Sequence, residues 1–151
     1  MSQQDLSMTF SVDQTPEQAF AAIMNVRGWW SEGIEGSAEK IGDEFTYRYK
    51  EMHDSKQRLV EAVPGKKIVW LVVDSRLSFT KDKGEWNGTQ LCFELSKKRE
   101  KGGDKTEVRF THLGLVPAFE CFEACTKGWT FYVNDSLRGL MTTGKGQPHQ
   151  G

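Results

Sequence analysis

Apolar and polar residues alternate through most of the first 113 positions. In SMTFSV, Met8, Phe10 and Val12 fall on one side and Ser7, Thr9 and Ser11 on the other. This period of two suits a strand with one covered face. It returns in EFTYRYK, where Phe45, Tyr47 and Tyr49 oppose Thr46 and Arg48, and in TQLCFELSKK, with Leu91, Phe93 and Leu95 aligned. In TEVRFTH, Val108, Phe110 and His112 share a side against Glu107, Arg109 and Thr111. KQRLVEAV reads as another strand, closed by Pro64-Gly65. KIVWLVVD is apolar on both faces, as in a strand covered on both sides or weakly exposed on one. EGSAEKIG is a weaker strand candidate and SRLSFT a short one. Asn87-Gly88, within KDKGEWNG, and KGGDK mark turns.

Two stretches follow a helical period instead. In TPEQAFAAIM, Thr15 stands at the cap, Pro16 suits the first helical position, and Gln18 completes a capping box. Phe20, Ile23 and Met24 form its apolar stripe, and NVRGWWSEGI continues as a second short helix or turn carrying Trp29 and Trp30. From Phe119 to Gly144 the chain reads as one long helix, on the order of 36 Å at 1.5 Å per residue. At 100° per residue, Phe119, Phe122, Cys125, Trp129, Val133, Leu137 and Leu140 share a face, opposite Glu120, Glu123, Lys127, Asn134 and Arg138. Phe131 falls on the polar side. Cys121, Gly128, Ser136 and Gly139 line one flank beside Tyr132. A glycine inside a helix costs about 1 kcal/mol relative to alanine. Such a flank implies either close approach of another element or the wall of an internal cavity.

The order is a strand, two short helices, further antiparallel strands making about six to seven in all, then a long helix. That is an α+β layout with helices packed on one sheet face. The chain reads as a single domain, 1–151, with an ordered core over about 7–146 and a flexible tail over 145–151.

Composition narrows the function classes. A formal net charge of -1 argues against a nucleic-acid partner. Lys97, Lys98, Arg99, Lys101 and Lys105 cluster, but Glu100 and Asp104 interrupt them, as in a solvated hairpin tip. No apolar run approaches the roughly 18 residues of a membrane span. The N-terminal residues lack the pattern of a secretory signal, so a cytoplasmic protein with Cys92, Cys121 and Cys125 as reduced thiols is expected. Cys121 and Cys125 stand four apart and, with His112, would make three ligands. A structural zinc site takes four, so no metal and no cofactor is expected. His53 lies in a polar hairpin and His149 in the tail. His112, at an inward strand position, is the one weak catalytic candidate, and the expectation leans toward a non-enzyme.

TPEQAFAAI, WWSEGIEG, GDEFTYRY, VEAVPGKKIVWLV, WNGTQLCFEL, TEVRFTHLGL and GWTFYVNDSLRGLMTTGKG, in that order, resemble the START-like, or SRPBCC, superfamily of birch-pollen-allergen-like proteins. The branch they are most similar to is that of the activator of the heat-shock-ninety chaperone ATPase. The resemblance covers about residues 7 to 146. One departure is Gly42-Asp43-Glu44, where many relatives carry a Gly-Gly pair. The resemblance implies a helix-grip fold, a curved antiparallel sheet wrapped around a long C-terminal helix with a cavity between them. It also implies an apolar small-molecule ligand, or a chaperone-like protein partner for a monomer or weak dimer. An enzyme acting on a bound apolar substrate is a third option. The chain itself offers a row of inward aromatics: Trp30, Phe45, Tyr47, Trp70, Phe93, Phe110, Phe122, Trp129 and Tyr132. Tyr47, Tyr132, His112 and Ser136 would be its polar handles, with gates at the long helix and around Trp86-Asn87-Gly88. The same rings could instead fill the space.

Overall fold

The capping box closes as its residues require. Thr15 Oγ1 accepts from the Gln18 N–H at 3.1 Å, and the Thr15 N–H donates to Gln18 Oε1 at 2.9 Å. This starts α1, Pro16–Met24, in a computed structural model that describes residues 6–36, 40–49, 53–77, 86–100, 103–115 and 122–148. Ala19 and Ile23 are the buried residues of α1, while Phe20 and Met24 are half-buried against the core. A second helix, α2 (Val26–Trp29), follows directly. Arg27 ties it to the sheet, donating to the backbone carbonyls of Ile34 and Gly36.

The strands are β1 (Leu6–Val12), β2 (Glu35–Gly36), β3 (Glu44–Tyr49), β4 (His53–Val63), β5 (Lys67–Leu77), β6 (Gln90–Glu100) and β7 (Gly103–Leu113). They form one curved seven-stranded antiparallel sheet in the order β1-β7-β6-β5-β4-β3-β2. Of EGSAEKIG, Glu35 and Gly36 pair with β3, and residues 37–39 lie outside the described residues. Ser75, Arg76 and Leu77 of SRLSFT extend β5, and the rest of that stretch lies outside. Most of the KDKGEWNG loop, the turn residues Lys101 and Gly102, and Phe119–Cys121 at the expected helix start also lie outside.

Two register shifts set which residues of β4 and β5 face inward. Between Leu59 and Glu61 the extra residue is Val60; between Lys56 and Gln57, β5 contributes the extra Val73. A bulge adds one residue to one strand and so re-phases its alternation. Ser55, Gln57 and Leu59 therefore face the core, and after the bulge Ala62 does so while Glu61 turns out. The outer face of β5 is weakly exposed, since Val69 is buried and Leu71 and Val73 are half-buried.

The C-terminal helix runs unbroken from Phe122 to Thr143 in three parts: α3 (Phe122–Trp129), a π-helix (Thr130–Leu137) and α4 (Arg138–Thr143). Its core face is Cys125, Trp129, Val133, Leu137 and Met141, spaced four apart throughout. In an α-helix each step of four overshoots a full turn by about 40°. The wider π turn, with its i→i+5 bonds, rotates less per residue and carries the step back. The two drifts offset each other, which keeps five side chains in line along the helix. A uniform 100° advance places Leu140 on this face; it is half-buried, and Met141 takes the buried position.

The flank of small residues divides in two. At Ser136 and Gly139 other backbone comes close. The Ser136 hydroxyl donates to the Trp29 carbonyl and accepts from the Gln147 N–H, both at 2.7 Å. A Cβ added at Gly139 would sit 3.2 Å from the Lys145 carbonyl oxygen. At Gly128, among the described residues, no atom outside its chain neighbours and the helix's own backbone lies within 4 Å of an added Cβ. Gly128→Ala is therefore expected to stabilise the fold by about 1 kcal/mol, raising Tm by roughly 2–4 °C. Thermal unfolding checks this, and a lowered Tm would show that the position needs its glycine.

Candidate functional site

The concave sheet face and the C-terminal helix enclose the core. Trp30, Phe45, Trp70, Phe93, Phe110 and Trp129 make a closed circuit of ring contacts, with successive centroids 4.8 to 6.0 Å apart. Aromatic pairs at such spacings contribute about 0.5–1.5 kcal/mol each beyond their buried area. Trp29 braces the circuit, meeting Trp30 at 5.7 Å and Phe93 at 5.9 Å. Of the expected lining residues, Trp30, Trp70, Phe93, Phe110 and Trp129 thus pack ring against ring. Phe122 is half-buried against the edge of the core.

A chain of hydrogen bonds runs along the β7 side. Trp129 Nε1–H donates to His112 Nδ1 at 3.1 Å. His112 Nε2 meets Thr89 Oγ1 at 2.8 Å, and Thr89 Oγ1 donates to the Trp86 carbonyl at 2.6 Å. Trp86 Nε1–H donates to Cys125 Sγ at 3.3 Å, and its ring stacks on Trp129 at 5.8 Å. These bonds define the imidazole. An indole N–H can only donate, so Nδ1 accepts; the Thr89 proton is committed to Trp86, so Nε2 carries the hydrogen. His112 is held as the neutral Nε2–H tautomer, with both nitrogens engaged in the core. Cys125 faces this chain, and Cys121, the other expected partner of a metal set, lies outside the described residues. Burial pushes the Cys92 thiol up from its ordinary pKa, with the Glu94 carboxylate adding to the effect.

A different polar end lies toward β3 and β4. Tyr47, stacked on Trp30 at 4.9 Å, brings its hydroxyl to 3.3 Å from that of Tyr132 on the π-helix. Ser55 is paired opposite Tyr47, and Gln57 lies opposite both Phe45 and Val72. Gln57 is 0% exposed, and among the described residues neither its Oε1 nor its Nε2 has a hydrogen-bond partner. Trp70 Nε1, also buried, has none either. Among the described residues one further buried side-chain atom is in this state, Gln14 Oε1, so three of the four belong to the concave face. Leaving a buried polar group unpaired costs about 1–3 kcal/mol.

Gln57 was absent from the sequence-derived candidates. Its signal was its phase, two residues before the inward Leu59. Ser136, expected as a handle, spends its hydroxyl on the Trp29 and Gln147 backbone.

Charge lies elsewhere. The buried polar side chains among the described residues are Ser31, Ser55, Gln57, Ser75, Thr89, Thr106, His112 and Ser136, with no Asp, Glu, Lys or Arg. At the β6–β7 tip, Lys98, Arg99 and Lys105 pair with Glu107, Asp104 and Asp13. A groove of about 490 Å³ opens on the sheet, lined by the charged Lys66, Lys67, Glu94, Glu107 and Arg109 together with Val63, Leu95 and Ser96.

A scan against protein-family models finds no match, and a search of curated proteins finds none. Solved structures do match. The Aha1 dimer from Colwellia psychrerythraea is similar at a TM-score of 0.72 and 22% identity, over 95% of this chain and 99% of that one. Protein SSP2350 from Staphylococcus saprophyticus is similar at 0.66 and 15%, over 95% and 96%. CalU16 from Micromonospora echinospora is similar at 0.56 and 11%, over 91% of this chain and 74% of that one. At these identities the likeness is one of fold: a curved antiparallel sheet gripping a C-terminal helix, the architecture that the START-like resemblance implies.

Proposed function

We propose that this chain, sharing the fold of the Colwellia Aha1 protein, binds a small amphipathic molecule between the concave face of its sheet and its C-terminal helix. The observation that carries this reading is Gln57. A fully buried amide with neither end partnered destabilises an empty protein, and a ligand that bonds to it removes that cost. Affinity would come mainly from apolar area, at about 25 cal/mol per Å². Tyr47, Tyr132 and the π-helix stand at the same end, and π-helical segments are frequent at functional sites. His112 takes the role of a structural histidine in this reading, and no catalytic step is assigned to it.

Native mass spectrometry of protein purified without denaturation, followed by organic extraction, tests the proposal. A stoichiometric adduct that dissolves into the organic phase is the expected result. A clean apo mass, together with no Tm response to a panel of apolar compounds, would count against it.

A second reading, a chaperone-activating module, is favoured by the likeness to Aha1 and by Phe131, 40% exposed on the outer side of the helix. It expects the ATPase rate of a purified heat-shock-ninety chaperone to rise on adding this protein, and to rise less with Phe131→Ala.

A further inference from the structure

Resting on the ligand-binding reading above, we infer that the ligand is uncharged, and that Gln57 with Trp70 reads an amide-like group on it, one that accepts and donates side by side.

The argument starts from what is unspent. The Gln57 amide carries a carbonyl acceptor and an NH₂ donor, and Trp70 Nε1–H is a donor. Among the described residues none of these three atoms has a partner. The two residues occupy inward positions on adjacent strands, since Gln57 lies opposite Val72, two residues along β5 from Trp70. Two donors and one acceptor call for a ligand group with acceptors and at least one N–H or O–H beside them. A carboxamide, a lactam or a hydroxy-ketone has this pattern.

Charge then narrows the class. Among the described residues no acidic or basic chain is buried on this face to neutralise an ion. An ionised carboxylate, phosphate or ammonium entering here would lose its water with no counter-charge, which is far costlier than burying a neutral amide. His112 cannot serve. It stands three strands away, at β7 against β4, about 14 Å at the usual strand spacing. Its two nitrogens are also committed to Trp129 and Thr89. Phe45, Trp70, Tyr47 and Trp30 pack ring on ring at this end, so a flat apolar body enters by parting them and replaces one ring contact with another.

The test uses the full chain and three probes with one body: naphthalene, 2-naphthamide and 2-naphthoate, titrated at pH 7.5 by calorimetry. The expected result is that 2-naphthamide binds at least tenfold tighter than 2-naphthoate. Gln57→Leu should weaken the amide at least tenfold, leave naphthalene unchanged or tighter, and raise the Tm of the ligand-free protein. Equal binding of amide and carboxylate to the wild-type protein overturns the inference while leaving the binding site standing, and needs no variant to fold. Unchanged amide affinity in Gln57→Leu also overturns it, assigning the amide to trapped water. If none of the three binds, the site itself is lost and the inference with it.

Discussion

Trp129→Ala should lower the unfolding free energy by about 4–5 kcal/mol, the largest loss expected from a single substitution in this chain. Removing a buried Trp side chain costs about 3–5 kcal/mol through lost burial and the cavity left behind. Trp129 is also where the aromatic circuit and the hydrogen-bond chain meet, touching Trp30, Trp86 and Phe110 and donating to His112. The truncation orphans His112 Nδ1 as well as opening a void. Since domains are stable by only about 5–15 kcal/mol, the variant should be partly unfolded near body temperature. Trp129→Phe loses the same N–H but keeps one six-membered ring and so opens a smaller void, and should cost less, about 1–3 kcal/mol. Urea denaturation of the pair, with the slope m unchanged, checks both values. A loss below about 2 kcal/mol for the alanine variant would mean that the rings are not packed as described.

His112→Leu should cost about 2–3 kcal/mol even though the two side chains are close in volume, because Trp129 Nε1–H and Thr89 Oγ1 each lose a buried partner. The accompanying measurement is nitrogen-15 NMR of the imidazole. Near neutral pH it should report a hydrogen on Nε2 and a bare Nδ1, with the Trp129 indole proton shifted by its bond. The opposite tautomer, or a rapidly exchanging ring, would reopen His112 as a proton-transfer group. If both results come out as expected, the one histidine that sequence placed inside is a structural part.

Much of this arrangement was legible in the alternation. Val108, Phe110 and His112 keep strict period-two phase because β7 is regular and paired on both sides. Thr15, Pro16 and Gln18 spell out a helix start whose chemistry is local. The polar end of the site was not legible. In KQRLVEAV, Gln57 and Glu61 share a phase with Leu59, so the inward side looks half polar. Only the bulge at Val60 turns Glu61 outward and leaves Gln57 in. A bulge depends on the pairing of two strands and has no signature within one. The π-helix was hidden for a similar reason. Its wider turn is stabilised by what the helix packs against, so Met141 could not be told from Leu140 by a count of 100° per residue. The hydroxyls of Ser136 and Thr89 were visible as residues, but their partners, the Trp29 and Trp86 carbonyls, are products of the tertiary fold.

The closed circuit of rings also has an optical consequence. All five tryptophans, Trp29, Trp30, Trp70, Trp86 and Trp129, are buried, and all touch a member of the circuit or belong to it. Trp29, Trp30, Trp129 and Trp86 form a run of neighbours at centroid distances of 5.1 to 5.8 Å, close enough for their excited states to couple, while Trp70 meets the circuit through Phe45 and Phe93. Those four absorb and emit less as separate dyes than as one. Displacement of any single ring alters the near-ultraviolet dichroism and emission of the whole set, so the protein carries its own unlabelled reporter at the centre of the fold.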